Sequence, residues 1–232
     1  MELSVVLAEL GLHSRRPTIV VVGGASKLSD EDLTRLRLLF VEVLAPLAEA
    51  LGASVVDGGT DSGVMQLIGQ ARAEIGATFH LIGVAPEGKV ALPEQILSSK
   101  GTALEPHHTH FVLVPGSQWG DESPWLVHVA SVLADKEPSV TVLVNGGEIA
   151  LKDVSENVKA GRSVLVIAGS GRLADTLAAA LRGEAADERV RKLAASGLLR
   201  AIESTESFDN LKRAIEEMLS AKELTLPDAV CE

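Results

Sequence analysis

Short, unalternated apolar runs recur along the chain. Most are followed by glycines and then by apolar residues at helical spacing. The first run, Pro17 to Val22 (PTIVVV), is β-branched on both alternations, as in a strand buried on both faces. It ends in Gly23-Gly24-Ala25-Ser26. Ser29 then caps a helix whose first turn holds Asp30, Glu31 and Asp32, where acid favours the helix dipole. Leu33, Leu36, Leu39, Val43, Leu44 and Leu47 continue that helix, Pro46 predicts a kink or division in it, and Gly52 stops it. The cycle repeats with strands at Ala53 to Val56, Thr78 to Val84, Thr109 to Val114, Ser139 to Val144 and Ser163 to Ala168. Helices are predicted from Val64 to Glu74, Trp125 to Ala134, through to Lys159, and Arg172 to Leu181. Ala85 to Pro106 reads as a long irregular stretch. Glu184 to Lys222 reads as two amphipathic helices around a short run, Leu198 to Ile202, and the last ten residues as a loose tail. Strands alternating with helices predict a parallel sheet covered on both faces, the Rossmann-like doubly wound α/β fold. No linker divides the chain. We read one domain over residues 1–232, with a core at about 17–182 and C-terminal helices at 184–222.

Composition narrows the partners. With 21 Lys plus Arg against 32 Asp plus Glu, the formal net charge is −11, and aromatics are only 3%. Nucleic acid is excluded as a partner, because phosphate backbones need clustered basic side chains and single strands need stacking aromatics. A small phosphate ligand is not excluded, since backbone N–H groups bind it locally. The single cysteine, Cys231, cannot form an internal disulfide, which fits a reducing compartment. No signal peptide is read at the N-terminus, and no apolar run approaches the roughly 20 residues that span a bilayer. A soluble, cytoplasmic protein without a membrane partner is expected.

Four of the strands end in glycine turns: Gly23-Gly24, Gly58-Gly59-Thr60-Asp61-Ser62-Gly63, Asn145-Gly146-Gly147-Glu148 and Gly169-Ser170-Gly171. In a parallel sheet these turns share the carboxyl edge, where ligands bind. Each one alone is the ordinary way to turn from strand to helix. Four together, with Ser26, Thr60, Ser62 and Ser170 among them, point to an anion site. Arg172 suits a phosphate. Asp175, in the first turn of the same helix, suits a ribose hydroxyl or a general base, although any helix N-terminus favours a carboxylate. His107-His108-Thr109-His110 opens a strand, so His108 and His110 would share one face. With no third ligand nearby, a hydrogen-bonded pair near the sheet edge is preferred to a metal site. His80, in a buried-looking strand, reads as a satisfied core histidine. Trp119 reads equally as a base-stacking lid or as packing on its own loop.

The segments PTIVVVGGAS, DGGTDSGVM, LEPHHTHFVLV and SVTVLVNGGEIALKDVSENVKAGRSVLVIAGSGRLADTLA resemble the N-terminal cytosolic homology region of melastatin-type TRP channels and its prokaryotic stand-alone relatives. The resemblance covers roughly Pro17 to Leu181. It places the chain in the SLOG superfamily, beside the LOG phosphoribohydrolases. It implies a Rossmann-like fold and a nucleotide-derived ligand such as ADP-ribose or its cyclic forms. It implies a ligand set of Gly23, Gly24, Ser26, Gly58, Gly59, Thr60, Ser62, Gly63, His110, Gly146, Gly147, Gly169, Ser170, Gly171, Arg172 and Asp175. No further cofactor or metal is expected. LOG enzymes cleave N-glycosidic bonds with a PGGxGTxxE motif. Here AGSGRLAD stands in its place, without the Pro-Gly-Gly start and the Thr, and Asp175 falls where the Glu is expected. A binding module is therefore expected ahead of an N-glycosidase, in which Asp175 and Glu148 would be catalytic. LOG-type proteins commonly pair, so a homodimer is expected.

Overall fold

In the computed structural model, which describes residues 2–24, 29–91 and 101–220, the alternating pattern becomes one seven-stranded parallel sheet. Its strands are β1 (Thr18–Gly23), β2 (Ser54–Asp57), β3 (Leu81–Pro86), β6 (His110–Val114), β7 (Ser139–Val144), β8 (Ser163–Ala168) and β9 (Leu199–Glu203). The order across the sheet is β6-β3-β2-β1-β7-β8-β9, and every neighbouring pair is parallel. The chain thus builds outward from β1 to one edge, then returns to lay β7, β8 and β9 on the other side. β1 and β7 meet at the point where that direction reverses.

Two hydrophobic layers sandwich the sheet, because the central strands are apolar on both faces. Ile19 and Val21 of β1 pack with α2 (Asp30–Leu39), α3 (Ala45–Leu51), α4 (Gly63–Glu74) and α9 (Phe208–Ser220). Val20 and Val22 pack on the opposite face with α1 (Leu3–Glu9), α5 (Ser123–Ala134), α6 (Glu148–Lys159), α7 (Arg172–Leu181) and α8 (Glu188–Ala194). Each fully buried Val, Leu or Ile contributes about 1.5–3 kcal/mol. The doubly wound fold expected from the alternation is the one observed.

Three details sharpen the sequence reading. Leu198 to Ile202, read only as a short run between helices, forms the edge strand β9. Its residues are half-buried or exposed, so it carries no continuous apolar signal. Pro46 divides its helical run as expected. A π-helical turn at Phe40–Leu44 joins α2 to α3 and leaves Pro46 in the first turn of α3, where its missing N–H costs nothing. Within Ala85 to Pro106, β4 (Val90–Ala91) and β5 (Thr102–Ala103) pair as a small parallel sheet. Ser26, residues 92–100, and the C-terminal tail with Cys231 lie outside the described residues.

A buried ionic clamp anchors the second glycine turn. Asp57, the last residue of β2, accepts the Gly59 N–H at 2.7 Å and lies 2.8 Å from His108 Nε2 through the same Oδ1. His108 Nδ1 lies 2.7 Å from Glu105, which also accepts the His107 N–H at 2.9 Å. The Glu105 N–H in turn bonds Gly59 O at 3.0 Å, and Thr60 bridges to Leu104. The histidine ring stacks on Phe111. Glu105 fits against α4 only because residue 69 is glycine: a Cβ there would lie 2.0 Å from its Oε2. Helix propensity alone favours Gly69→Ala by about 1 kcal/mol. Packing reverses the sign, and we expect Gly69→Ala to destabilise by about 2–4 kcal/mol, the scale of a broken buried ion pair. Urea unfolding of the variant measures this, and a gain in stability would contradict it.

Candidate functional site

A cavity of about 470 Å³ opens at the carboxyl ends of β1 and β7. This is the crevice in which doubly wound proteins bind ligands. Gly23 and Gly24 close it from β1, Gly146 and Gly147 from β7, and Gly58, Thr60 and Ser62 from the β2 turn. Gly23 is fixed by the sheet itself, since a Cβ there would stand 1.8 Å from Val144 O. Gly24 and Gly58 are different. Among the described residues other than its chain neighbours, a Cβ at Gly24 meets nothing nearer than Asn145 Oδ1 at 4.0 Å, and one at Gly58 meets only Met65, from 3.8 Å outward. The space in front of these two glycines belongs to the pocket.

The turn after β7 is held by its neighbour. Asn145, buried and left-handed at φ 56°, donates its N–H to Ser170 Oγ at 2.7 Å and its side-chain amide to Ser170 O at 2.8 Å. Its Oδ1 accepts the Gly146 N–H. The first N–H groups of α7, from Leu173 and Ala174, bond Gly146 O and Asn145 O. The α7 N-terminus is therefore consumed by the β7 turn. By contrast, α6 begins at Gly147 with no side-chain cap, so its first turn offers N–H donors and the positive dipole end. The Arg172 guanidinium lies over this same spot: a Cβ on Gly147 would be 2.6 Å from its Nη2. Arg172 reaches there from a left-handed backbone, φ 51°, which costs a non-glycine residue about 1 kcal/mol or more.

The opposite wall is acidic and apolar. Glu122 and Asp153 line the cavity, with Trp119, Met65, Leu126 and Ile149 around them. Glu122 is buried and accepts the Gly120 N–H at 2.6 Å. Burial raises its carboxyl above the usual carboxylate range, while that N–H works against the shift. Asp153 is pushed up to about 7, first by burial, with the Glu122 charge adding to it. The Ser123 hydroxyl and Lys152 oppose the shift. Asp153 Oδ1 and Ser123 Oγ are both buried, and the Ser123 hydroxyl is the polar group set against this carboxyl. Lys152 Nζ donates to Gly120 O. Glu122 and Asp153 were not singled out in the sequence, where they are ordinary acids in two separate helices.

Of the candidate residues, the cavity gathers Gly23, Gly24, Gly58, Thr60, Ser62, Gly146, Gly147, Glu148 and Arg172. Glu148 stands at its rim, ion-paired with Arg189 at 2.9 Å. The others lie off its walls. Gly59 faces Gly83 and Phe111, Gly63 opens α4, and Gly169 packs on Ser204. Ser170 is buried, its hydroxyl donating to Ile167 O. Gly171 serves as the N-cap of α7. Asp175 accepts the Gly169 N–H at 2.7 Å through Oδ1 and so closes its own turn. His110 opens β6 at the amino edge of the sheet, 3.1 Å from Leu10 O, far from the turns it was grouped with. His108 and His110 do not pair with each other. His108 sits in the loop before β6 in the clamp, and His110 stands edge-on to His80. His80, read as a satisfied core residue, leaves its Nδ1 buried without a partner, and burial lowers its pKa.

An open, doubly wound α/β domain with a glycine-lined crevice at its switch point is the class that fold and site define. The chain belongs to the SLOG family described as "SLOG in TRPM, prokaryote", which it matches over residues 16–212. It is 26% identical over 204 residues to transient receptor potential cation channel subfamily M member 2 of Mus musculus, covering 72% of this chain and 13% of the channel. It is 27% identical over 213 residues to the subfamily M member-like 2 channel of Nematostella vectensis, covering 75% of this chain and 14% of that one. The chain thus spans a small fraction of these relatives' length. Among solved structures, the X-ray structure of TM1055, a structural-genomics target, aligns with TM-score 0.59 at 21% identity, over 87% of this chain and 99% of that one. The molybdenum cofactor binding protein of the phototrophic bacterium Rippkaea orientalis aligns with TM-score 0.57 at 16% identity, over 89% and 99%. Both share the fold. Among the described residues, no helix is long and apolar enough to cross a membrane.

The clamp carries a pH signature. Burial would pull His108 down, but the buried carboxylates of Asp57 and Glu105 overrule it and hold the imidazole up to about 9. A raised histidine stabilises the fold fully below its unfolded pKa of 6.5, and that stability is lost as pH rises through 9. The stability advantage of wild type over His108→Gln should therefore be constant below pH 6.5 and shrink between about 6.5 and 9. Denaturant melts across that range test it, and a constant difference would refute it.

Proposed function

We propose that this chain is a ligand-binding SLOG domain whose crevice takes a nucleotide-derived small molecule, of the ADP-ribose or nucleoside monophosphate kind. The observation that carries this reading is the pairing of Gly24 and Gly58, two glycines that face open space, with an uncapped α6 and the guanidinium of Arg172. A phosphate would bond the α6 N–H groups and Arg172. The ribose would lie over Gly24 and Gly58, and a flat base among Trp119, Met65 and Leu126. The remaining turn, Gly169 to Gly171, supports the crevice from behind, its Ser170 being committed to Asn145.

Hydrolysis is the second reading, and the pocket acids favour it. Asp175 is spent on Gly169, so the acid of an N-glycosidase would be Glu122 or Asp153. Glu122 follows a Pro-Gly pair, Pro115-Gly116, of the kind missing from AGSGRLAD. A carboxylate on that wall could stabilise an oxocarbenium-like transition state.

Calorimetric titration with AMP and ADP-ribose tests the binding reading. Arg172→Ala should weaken binding by about 1.5–3 kcal/mol, the scale of a charged hydrogen bond. Gly24→Val should abolish it with the fold intact, because the added methyls enter space that no atom of the other described residues occupies. Unchanged affinity in both variants would place the ligand elsewhere. Rapid base release from AMP that is lost in Glu122→Gln would make hydrolysis the leading reading.

A further inference from the structure

The crevice carries an acid at the very end where an anion would bind. The first turn of α6, with the Arg172 guanidinium over Gly147, forms an anion pole. Glu148 is the first residue of α6 and lines the cavity beside Gly147. Its carboxylate meets the positive end of the helix dipole, the place that a ligand phosphate would take. Glu148 is in turn covered by Arg189, from the first turn of α8. Arg189 Nη1 donates to Glu148 Oε2 at 2.9 Å, and Nη2 to Oε1 at 3.3 Å. A planar fork that matches a carboxylate in this way matches two phosphate oxygens equally well.

Two guanidinium groups therefore stand on successive residues of α6, Arg172 over Gly147 and Arg189 on Glu148. The Arg189 and Glu148 side chains are 62% and 76% exposed. An ion pair so open to water is weak and easily exchanged. The neighbouring charges are engaged elsewhere or held further off. Lys152, one turn along α6 from Glu148, donates to Gly120 O instead. Asp187 lies 4.0 Å from Arg189 Nη2, and its Oδ1 caps α8 by accepting the Val190 N–H at 3.0 Å.

We propose that Arg189 is a second phosphate-binding arginine of the crevice, and that Glu148 holds it in reserve. A phosphate entering the anion pole brings a second negative charge to the helix end that Glu148 already occupies. The ion pair is then exchanged. Arg189 passes from the carboxylate to the phosphate oxygens, and Glu148 turns to the solvent that already surrounds most of it. One phosphate is met by the α6 N–H groups and Arg172 alone. The exchange is therefore of most use to a ligand with a second phosphate next to the first, at the rim where Arg189 stands. It selects a diphosphate ester over a monophosphate.

This inference rests on the binding reading above, and the test separates the two. AMP and ADP share base and ribose and differ by one phosphate. Both are titrated calorimetrically into the full chain at about pH 8 without divalent cations, where their terminal phosphates are ionised. Wild type should bind ADP about tenfold more tightly than AMP, the scale of one charged hydrogen-bonded contact. Arg189→Ala should abolish that margin, and Arg189→Lys, which keeps the charge without the fork, should restore only part of it. Glu148→Gln should widen the margin by releasing Arg189, and adding Arg189→Ala to it should cancel the gain. Arg172→Ala should weaken both nucleotides alike, since it acts on the phosphate they share. Both side chains of the pair are exposed, so these variants leave the fold intact. An ADP-to-AMP ratio unchanged in Arg189→Ala, or one that does not rise in Glu148→Gln, would overturn the role of Arg189 and leave the anion pole standing. Failure of AMP and ADP alike to bind wild type would overturn the binding reading and this inference with it.

Discussion

β1 and β7 lie far apart in the chain yet run side by side over Thr18↔Ser139 to Gly23↔Val144. Because the chain builds outward from β1 in one direction and from β7 in the other, their connections leave to opposite faces of the sheet, and the carboxyl ends part into a crevice. Each site feature depends on that pairing. Gly23 must be glycine because Val144 O stands against it. Gly24 donates its N–H to the same carbonyl, which sets the direction in which the chain leaves β1. On the β7 side, α6 starts at the crevice mouth and points its dipole into it. A net charge of −11 does not oppose an anion there, because the donors are backbone groups a few ångströms away, while the surface acids are screened over about 10 Å.

The strands were legible because each central one is buried on both faces and so must be written in Val, Ile, Leu and Ala. Ser139 to Val144 and Ser163 to Ala168 were read with the bounds they have in the fold. β9 was not recognised as a strand, because an edge strand alternates and carries charge: LRAIE offers no continuous run. The glycine turns were legible as a set but not in their individual roles. Gly59 and Gly169 are glycine because of what packs behind them, Gly24 and Gly58 because of what is left open in front. Only the three-dimensional neighbours separate these cases.

Asp175 illustrates a choice that any first-turn carboxylate faces. A carboxylate in the first turn of a helix after a glycine turn can face outward to a ligand or curl back to the turn's own N–H groups. Here it curls back to Gly169. Glu122 and Asp153 were missed because they come together only when α5 and α6 pack side by side. One signal was present: in EIALKDVSENVK, Asp153 sits between Ala150 and Asn157 at helical spacing, beside Leu151 and Val154, at the border of the face that α6 buries. An acid in that position must find a partner, a proton or a cavity.

The crevice is also one of the places where the molecule departs from local backbone preference. Arg172 and Asn145 both occupy left-handed conformations that side chains other than glycine seldom adopt, and both stand at the β7–α7 junction. The two are mechanically joined. Asn145 holds Ser170, while the carbonyls of Asn145 and Gly146 receive the first N–H groups of α7. These bonds are buried or part-buried and together exceed the roughly 1–3 kcal/mol cost of each unfavourable backbone state. Releasing Arg172 to an ordinary backbone would require re-aiming the start of α7 and giving up bonds to the β7 turn. The guanidinium over Gly147 is thus positioned by the backbone of α7 and by the turn that carries the α6 N-terminus. The root of the Arg172 side chain and the backbone donors of the anion pole are thus tied to one hydrogen-bonded junction.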